Sequence, residues 1–188
     1  MSEDHKHRAR IFLHRGDLVQ ARAAWEAAVT DDRASSNSQA LSASLGNLGN
    51  TCALMNDLLP AEQCYREVLQ IQRTEGNLTA VAHTLVNLGN LQIAADHPEH
   101  ARPYYLEALD LMRTLQDSRG LGILYTNLAL QEARTSQWAE AVPLLKQVLT
   151  LAPERADAKL QLAYCAAKLG QIELAIELTD QIGLADQD

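Results

Sequence analysis

The tetrapeptide Asn47-Leu48-Gly49-Asn50 returns forty residues later as Asn87-Leu88-Gly89-Asn90, and Asn127 keeps the same step. A second landmark runs in register with it. Alanine followed four places on by a large residue occurs as Ala21 and Trp25, Ala61 and Tyr65, Ala101 and Tyr105, and Ala141 and Leu145. Two landmarks at one spacing define four equal units. A fifth follows after 34 residues, with Leu162-Ala163 in the Leu-Gly place, Ala175 in the alanine place and Pro153 before it.

Composition agrees with a helical repeat. Hydrophobic residues make up 47% of the 188 residues but aromatics only 4%, so most apolar volume is aliphatic. That mixture suits helices that approach closely through small side chains and argues against a β-rich domain. With 16 Lys+Arg against 24 Asp+Glu the formal charge is −8. A surplus of acid disfavours general affinity for nucleic acid or an anionic membrane, both of which need basic residues to displace counterions or meet a negative surface. Cys52, Cys64 and Cys165 are odd in number and set in apolar helical stretches. They read as core residues of a reducing compartment. The N-terminal MSEDHKHRAR has no apolar signal stretch and no run is long enough to span a bilayer, so the expectation is a soluble, cytoplasmic protein.

Leu48-Gly49, Ala61-x3-Tyr65 and the run from Ala141 to Pro153 resemble the tetratricopeptide repeat family, whose pattern is W-x2-L-G-x2-Y, A-x3-F and then P. The leading tryptophan is absent throughout, and the glycine becomes alanine in units one, four and five. The forty-residue spacing is similar to the longer variant of kinesin light chains and of the Leu-Gly-Asn repeat proteins. The resemblance implies an all-α fold: a right-handed α-solenoid of about five helix-turn-helix units. Residues 1–188 would form one array, with unit starts near 2, 42, 82, 122 and 156.

Each unit then holds two helices. Gly16-Asp17, Asn56-Asp57 and Leu169-Gly170 mark breaks within pairs, and Glu75-Gly76-Asn77 and Asp117-Ser118-Arg119-Gly120 separate pairs. Asp31 to Ser38 is the loosest stretch and reads as a connecting loop, with Asp31, Asp32 and Glu26 as solvated charges at a helix end. The six extra residues of the longer units lengthen a helical pair by about 9 Å.

In the family the first helix of each pair lines a concave groove. Carried over by position, the groove residues are Lys6, His7, Arg10 and His14, then Asn47 and Asn50, then His83, Asn87 and Asn90. They continue with Asn127 and Arg134, and with Gln161, Tyr164 and Lys168. Asparagine is mildly unfavourable inside a helix, because its side chain competes for backbone hydrogen bonds. Five of them in one row call for a reason. Their carboxamides carry both donor and acceptor, so they can hold the backbone of an extended peptide, while Lys6, Arg10, Arg134 and Lys168 favour acidic side chains or a terminal carboxylate. The alternative is that the carboxamides bond neighbouring helices, and that Lys6 and Arg10 only cap the stack.

No phosphate-binding loop or nucleophile elbow is present, and His5, His7, His14, His97 and His100 lack four converging metal ligands. The expected protein is therefore a non-enzymatic adaptor or scaffold without cofactor or metal, acting on a protein or peptide partner. A second reading is self-assembly through the array ends. The last helix, Gln171 to Ile182, is expected to meet its pair through Ile172, Ala175, Thr179 and Ile182. Leu174 and Leu178 would then remain uncovered and form a homodimer interface, unless the tail Gly183 to Asp188 folds back over them. Replacing Ala61 or Ala101 by a bulky residue is expected to force its pair apart at a cost of about 1–3 kcal/mol. Chemical denaturation measures the loss; unchanged stability contradicts the assigned packing.

Overall fold

The computed structural model describes the backbone of residues 1–185 and side chains through Ile182. Among the described residues there are ten helices and no strand. They are α1 (Ser2–His14), α2 (Leu18–Ala34), α3 (Ser38–Leu54), α4 (Leu58–Glu75), α5 (Leu78–Ala94), α6 (Pro98–Thr114), α7 (Ser118–Arg134), α8 (Trp138–Leu151), α9 (Ala156–Lys168) and α10 (Ile172–Ala185). The chain divides into two compact units, Met1–Ala108 and Leu109–Asp188, each built of successive helices packed on their neighbours.

The turns obey a period half as long as the sequence repeat. Left-handed residues stand at Gly16, Ser36, Asn56, Gly76, Asp96, Gln116 and Ser136, twenty apart, and then at Gly170. Each reverses the chain in the fewest residues, and the next residue opens the following helix. Asp17, Asn37, Asn77 and Asp117 do so by accepting a hydrogen bond from the backbone N–H three residues on. Such short turns correct the expected loop at Asp31 to Ser38, because α2 continues to Ala34 and only residues 35–37 lie outside helix. They also correct the break at Asp117 to Gly120, since α7 begins at Ser118. The extra length of the longer units lies in the helices. Those from α2 to α7 run 17 or 18 residues, against 13 or 14 in α1, α8, α9 and α10.

The alanine and large-residue landmarks form the core. Ala21, Ala61, Ala101 and Ala141 are fully buried, and Trp25, Tyr65, Tyr105 and Leu145 nearly so. Cys52, Cys64 and Cys165 are buried thiols that form no disulfide, and burial pushes Cys64 up to about 11. Glycine of the Leu-Gly pair is required by the aromatic ring of its partner helix. A β-carbon on Gly49 would lie 2.8 Å from Cε1 of Tyr65, and one on Gly89 only 2.3 Å from Cε1 of Tyr105. Where the pair is Ala129 and Leu145, the smaller partner leaves room for a methyl group, and both sit in one core cluster.

The tail helix differs from expectation. Leu178 is buried and Leu174 and Ala175 are partly buried against Leu162, Cys165 and Leu145, so these face the pair, while Ile172 and Thr179 are exposed. The face is turned because α10 packs on α9 through the 174/178 side of its helix. Leu174 and Leu178 are thus not an open interface; the tail Gly183 to Asp188 lies outside the residues whose side chains are described.

Gly89→Ala is expected to destabilise the protein by about 1–3 kcal/mol through overpacking. The same change in a Tyr105→Leu background should cost less than half as much, which a double-mutant cycle in urea measures.

Candidate functional site

In the first unit, the row expected from sequence lies along one strip of adjoining cavities. A cavity of about 300 Å³ is lined by Lys6, Arg10 and Asn47, the next, about 320 Å³, by Asn47, Asn50, His83 and Asn87, and a third, about 420 Å³, by Asn50, Asn87 and Asn90. Shared walls at Asn47, Asn50 and Asn87 make the strip continuous from α1 across α3 to α5. The third cavity is the most apolar, with Ala53, Leu54, Leu91 and Ala94 beside the carboxamides. Leu54 is 68% exposed there.

The carboxamides are partly engaged. Tyr65 donates its hydroxyl to Oδ1 of Asn50 at 2.7 Å, and Tyr105 donates to Oδ1 of Asn90 at 2.6 Å. Asn47 donates Nδ2 to the Ala43 carbonyl one turn back at 2.8 Å. Burial pushes both phenols up to about 12, so they remain donors through the physiological range. With its oxygen held by the phenol, Asn50 presents its NH2 group outward, a donor suited to a peptide carbonyl. The tyrosines were not expected in the site, although the common spacing of Asn50 to Tyr65 and Asn90 to Tyr105 is visible in the sequence.

Lys6 is a correction to the expected groove cations. It is 8% exposed, and its ammonium lies 3.1 Å from Asp32 and 2.9 Å from Glu3. Asp32, expected to be solvated, is 3% exposed and accepts from Ser2 at 2.5 Å and from Ser44 at 2.6 Å. It therefore ties α1, α2 and α3 together. Burial alone would raise its carboxyl, but the bonds from Ser2, Ser44 and Lys6 and the charge of Lys6 outweigh burial and hold it below the usual carboxylate range. Burial would likewise lower Lys6, yet its bonds to Glu3 and Asp32 hold it above its ordinary value. Arg10 stays exposed, and Glu3 and Glu75 line the same strip as Arg10 and His83. The first unit's strip therefore carries no basic surplus.

In the second unit α7 and α9 present the remaining expected residues. Asn127 is half-buried, whereas Arg134, Tyr164 and Lys168 are exposed. Tyr164 stands edge-on to Trp138 with centroids 5.5 Å apart, and the Lys168 ammonium lies 5.2 Å from the Tyr164 ring centre. His97, Glu99 and His100 bring ligand atoms within 4.8 Å of one another, all exposed at the start of α6. The positive end of that helix opposes a cation there. No helix among the described residues is long and apolar enough to cross a membrane.

Tetratricopeptide-repeat profiles match residues 4–74 and 132–188, together more than half of the sequence. The chain belongs to the tetratricopeptide repeat family. No curated protein matches it. Among solved structures, BtubC (BKLC) from P. vanneervenii superposes with a TM-score of 0.83 at 18% identity, covering 93% of this chain and 75% of that one. A putative kinesin light chain of nearly identical TPR-like repeats from Podosopora anserina gives 0.78 at 18% identity, covering 97% of this chain and 93% of that one. The apo form of RapI gives 0.89 at 14% identity, with 98% of this chain but 53% of that one covered. These likenesses define an all-α repeat solenoid. Membership carries with it a scaffold kind of role in protein interaction, and proteins of this type are generally non-enzymatic.

Asp32→Ala is expected to cost about 3 kcal/mol at neutral pH, since it leaves the buried Lys6 without one of its two carboxylate partners. Because the folded Asp32 is depressed, its contribution is complete above about pH 4 and fades as pH falls through the folded value. Urea titrations at several pH values should find the gap between wild type and Asp32→Ala closing on acidification; a constant gap contradicts the assignment. The raised Lys6 adds a share that is lost only above about pH 10.

Proposed function

We propose that the chain is an adaptor whose concave strip in the first unit takes an extended segment of another protein. The NH2 group of Asn50 bonds a carbonyl of the ligand backbone, which gives affinity without reading its sequence. Specificity comes from one apolar side chain seated against Leu54, Leu91, Ala53 and Ala94. The observation that carries this reading is the exposed Leu54 in the wall of the third cavity, beside Asn50 and Asn90.

This reading departs from an acidic ligand in the first unit. Lys6 is committed to Asp32, and Glu3 and Glu75 offset Arg10 and His83 along the strip. An acidic preference belongs instead to the second unit, where Arg134 and Lys168 are exposed on the first helices of their pairs and Tyr164 supplies an aromatic face.

Selection from a library of displayed random peptides tests the reading. Wild type should enrich peptides with an apolar residue at one fixed position and no common charge. Leu54→Glu, which alters only an exposed side chain, should weaken them about tenfold or more, as loss of a central contact does. Asn50→Ala with Asn90→Ala should weaken all selected peptides alike. Failure to enrich any peptide, or equal binding by Leu54→Glu, rejects the strip as the binding site.

A further inference from the structure

The two terminal helices carry complementary faces, and these use none of the proposed groove contacts. Matching helix starts at Gln137 and Gln171 sets Ile172 and Ile176 at the positions of Trp138 and Val142. In the preceding pair those two side chains pack against the cluster that holds Leu162 and Cys165 of α9. On α10 the equivalent isoleucines are 51% and 55% exposed. Glu173, Glu177 and Asp180 flank them along one side, all exposed, and α10 contains no basic residue. The charged margin of this face is entirely acidic.

At the other end of the described helices, α1 is the first helix of its pair. Arg8 stands in the repeat where Leu48, Leu88 and Leu128 are buried, and it is exposed. Ile11 is 37% exposed and Arg15 is exposed on the same side. Arg8, Ile11 and Arg15 follow the spacing i, i+3, i+7, which keeps them on one helical face. Glu173, Ile176 and Asp180 follow the same spacing with opposite charge.

We propose that copies of this chain associate head to tail, α1 of one copy docking antiparallel on α10 of the next. The antiparallel sense is that of successive helices throughout the repeat. It sets Arg8 toward Asp180 and Arg15 toward Glu173, with Ile11 brought against the Ile172 and Ile176 stripe. Such a contact is heterologous, using different patches on the two copies. Its charged margin makes it sensitive to salt.

Sedimentation and light scattering of the full chain should give a mass that rises with concentration and falls with added salt. Ile176→Asp, the head variant Arg8→Glu with Arg15→Glu, and the tail variant Glu173→Arg with Asp180→Arg should each weaken association about tenfold or more. All three alter exposed side chains, so circular dichroism should be unchanged. Mixing the head and tail variants should restore association, because each supplies the charge the other lacks. A wild type that stays monomeric at every concentration overturns the proposal. So does association that survives Ile176→Asp, or that Ile176→Asp abolishes while the head variant leaves it intact, the signature of a symmetric tail-to-tail contact. Mixed variants that remain monomeric overturn it as well.

Discussion

The fold depends on one steric fit: in the first four pairs, a large side chain on the second helix is pressed into a notch on the first. In units two and three the notch is a glycine with no room for a β-carbon, filled by Tyr65 or Tyr105. Close approach then fixes the pair's spacing and leaves the alanine of the same helix, Ala61 or Ala101, fully buried. The ring also sets the site, because its hydroxyl reaches across to Asn50 or Asn90. One residue thus packs the core and orients a carboxamide that lines the cavity strip.

Between pairs the coupling changes character along the chain while keeping its place. Asp32 meets Ser44, and forty residues on Gln72 accepts from Thr84 at 2.7 Å. At the third occurrence Met112 and Leu124 hold these positions, both fully buried. A charged, a neutral polar and an apolar solution therefore fill equivalent junctions. The charged version stands beside the terminal helix, where Ser2 and Lys6 supply further donors that a later junction would have to find elsewhere. Burying a carboxylate is tolerable only with such a full set of partners. Across the second helices, Arg33 with Glu67 and Arg73 with Glu107 repeat at the same step, but these exposed pairs add little beyond register.

Much of the architecture was legible in the sequence because the repeat exposes it several times over. Ala21, Ala61, Ala101 and Ala141 announced the buried contact, and Asn47 and Asn87 announced residues that line one cavity. Turns were harder to read where the left-handed residue is not glycine. Ser36, Gln116 and Ser136 adopt that conformation without the usual signature, so only the twenty-residue period reveals them. Burial of Lys6 and Asp32 was hidden for a different reason. A charged residue reads as solvated until its partners from three separate helices are brought together, and nothing local in the sequence does that. The face of α10 was misjudged because periodicity supplies a stripe but not its direction. Leu174 and Leu178 or Ile172 and Ile176 fit a helix equally well, and packing against Leu162 and Cys165 decides between them.

The same fit bears on the proposed recognition, which rests on donors and apolar surface. Each tyrosine that locks a pair occupies one of the two acceptor positions on the oxygen of the asparagine beside it. Asn50 keeps its NH2 donors, and beside it the exposed Leu54 lines the same cavity. A charged ligand gains little from such a surface. An extended backbone has carbonyls at regular intervals and can place an apolar side chain between them. The packing of the pair and the chemistry offered to a partner are therefore consequences of one arrangement.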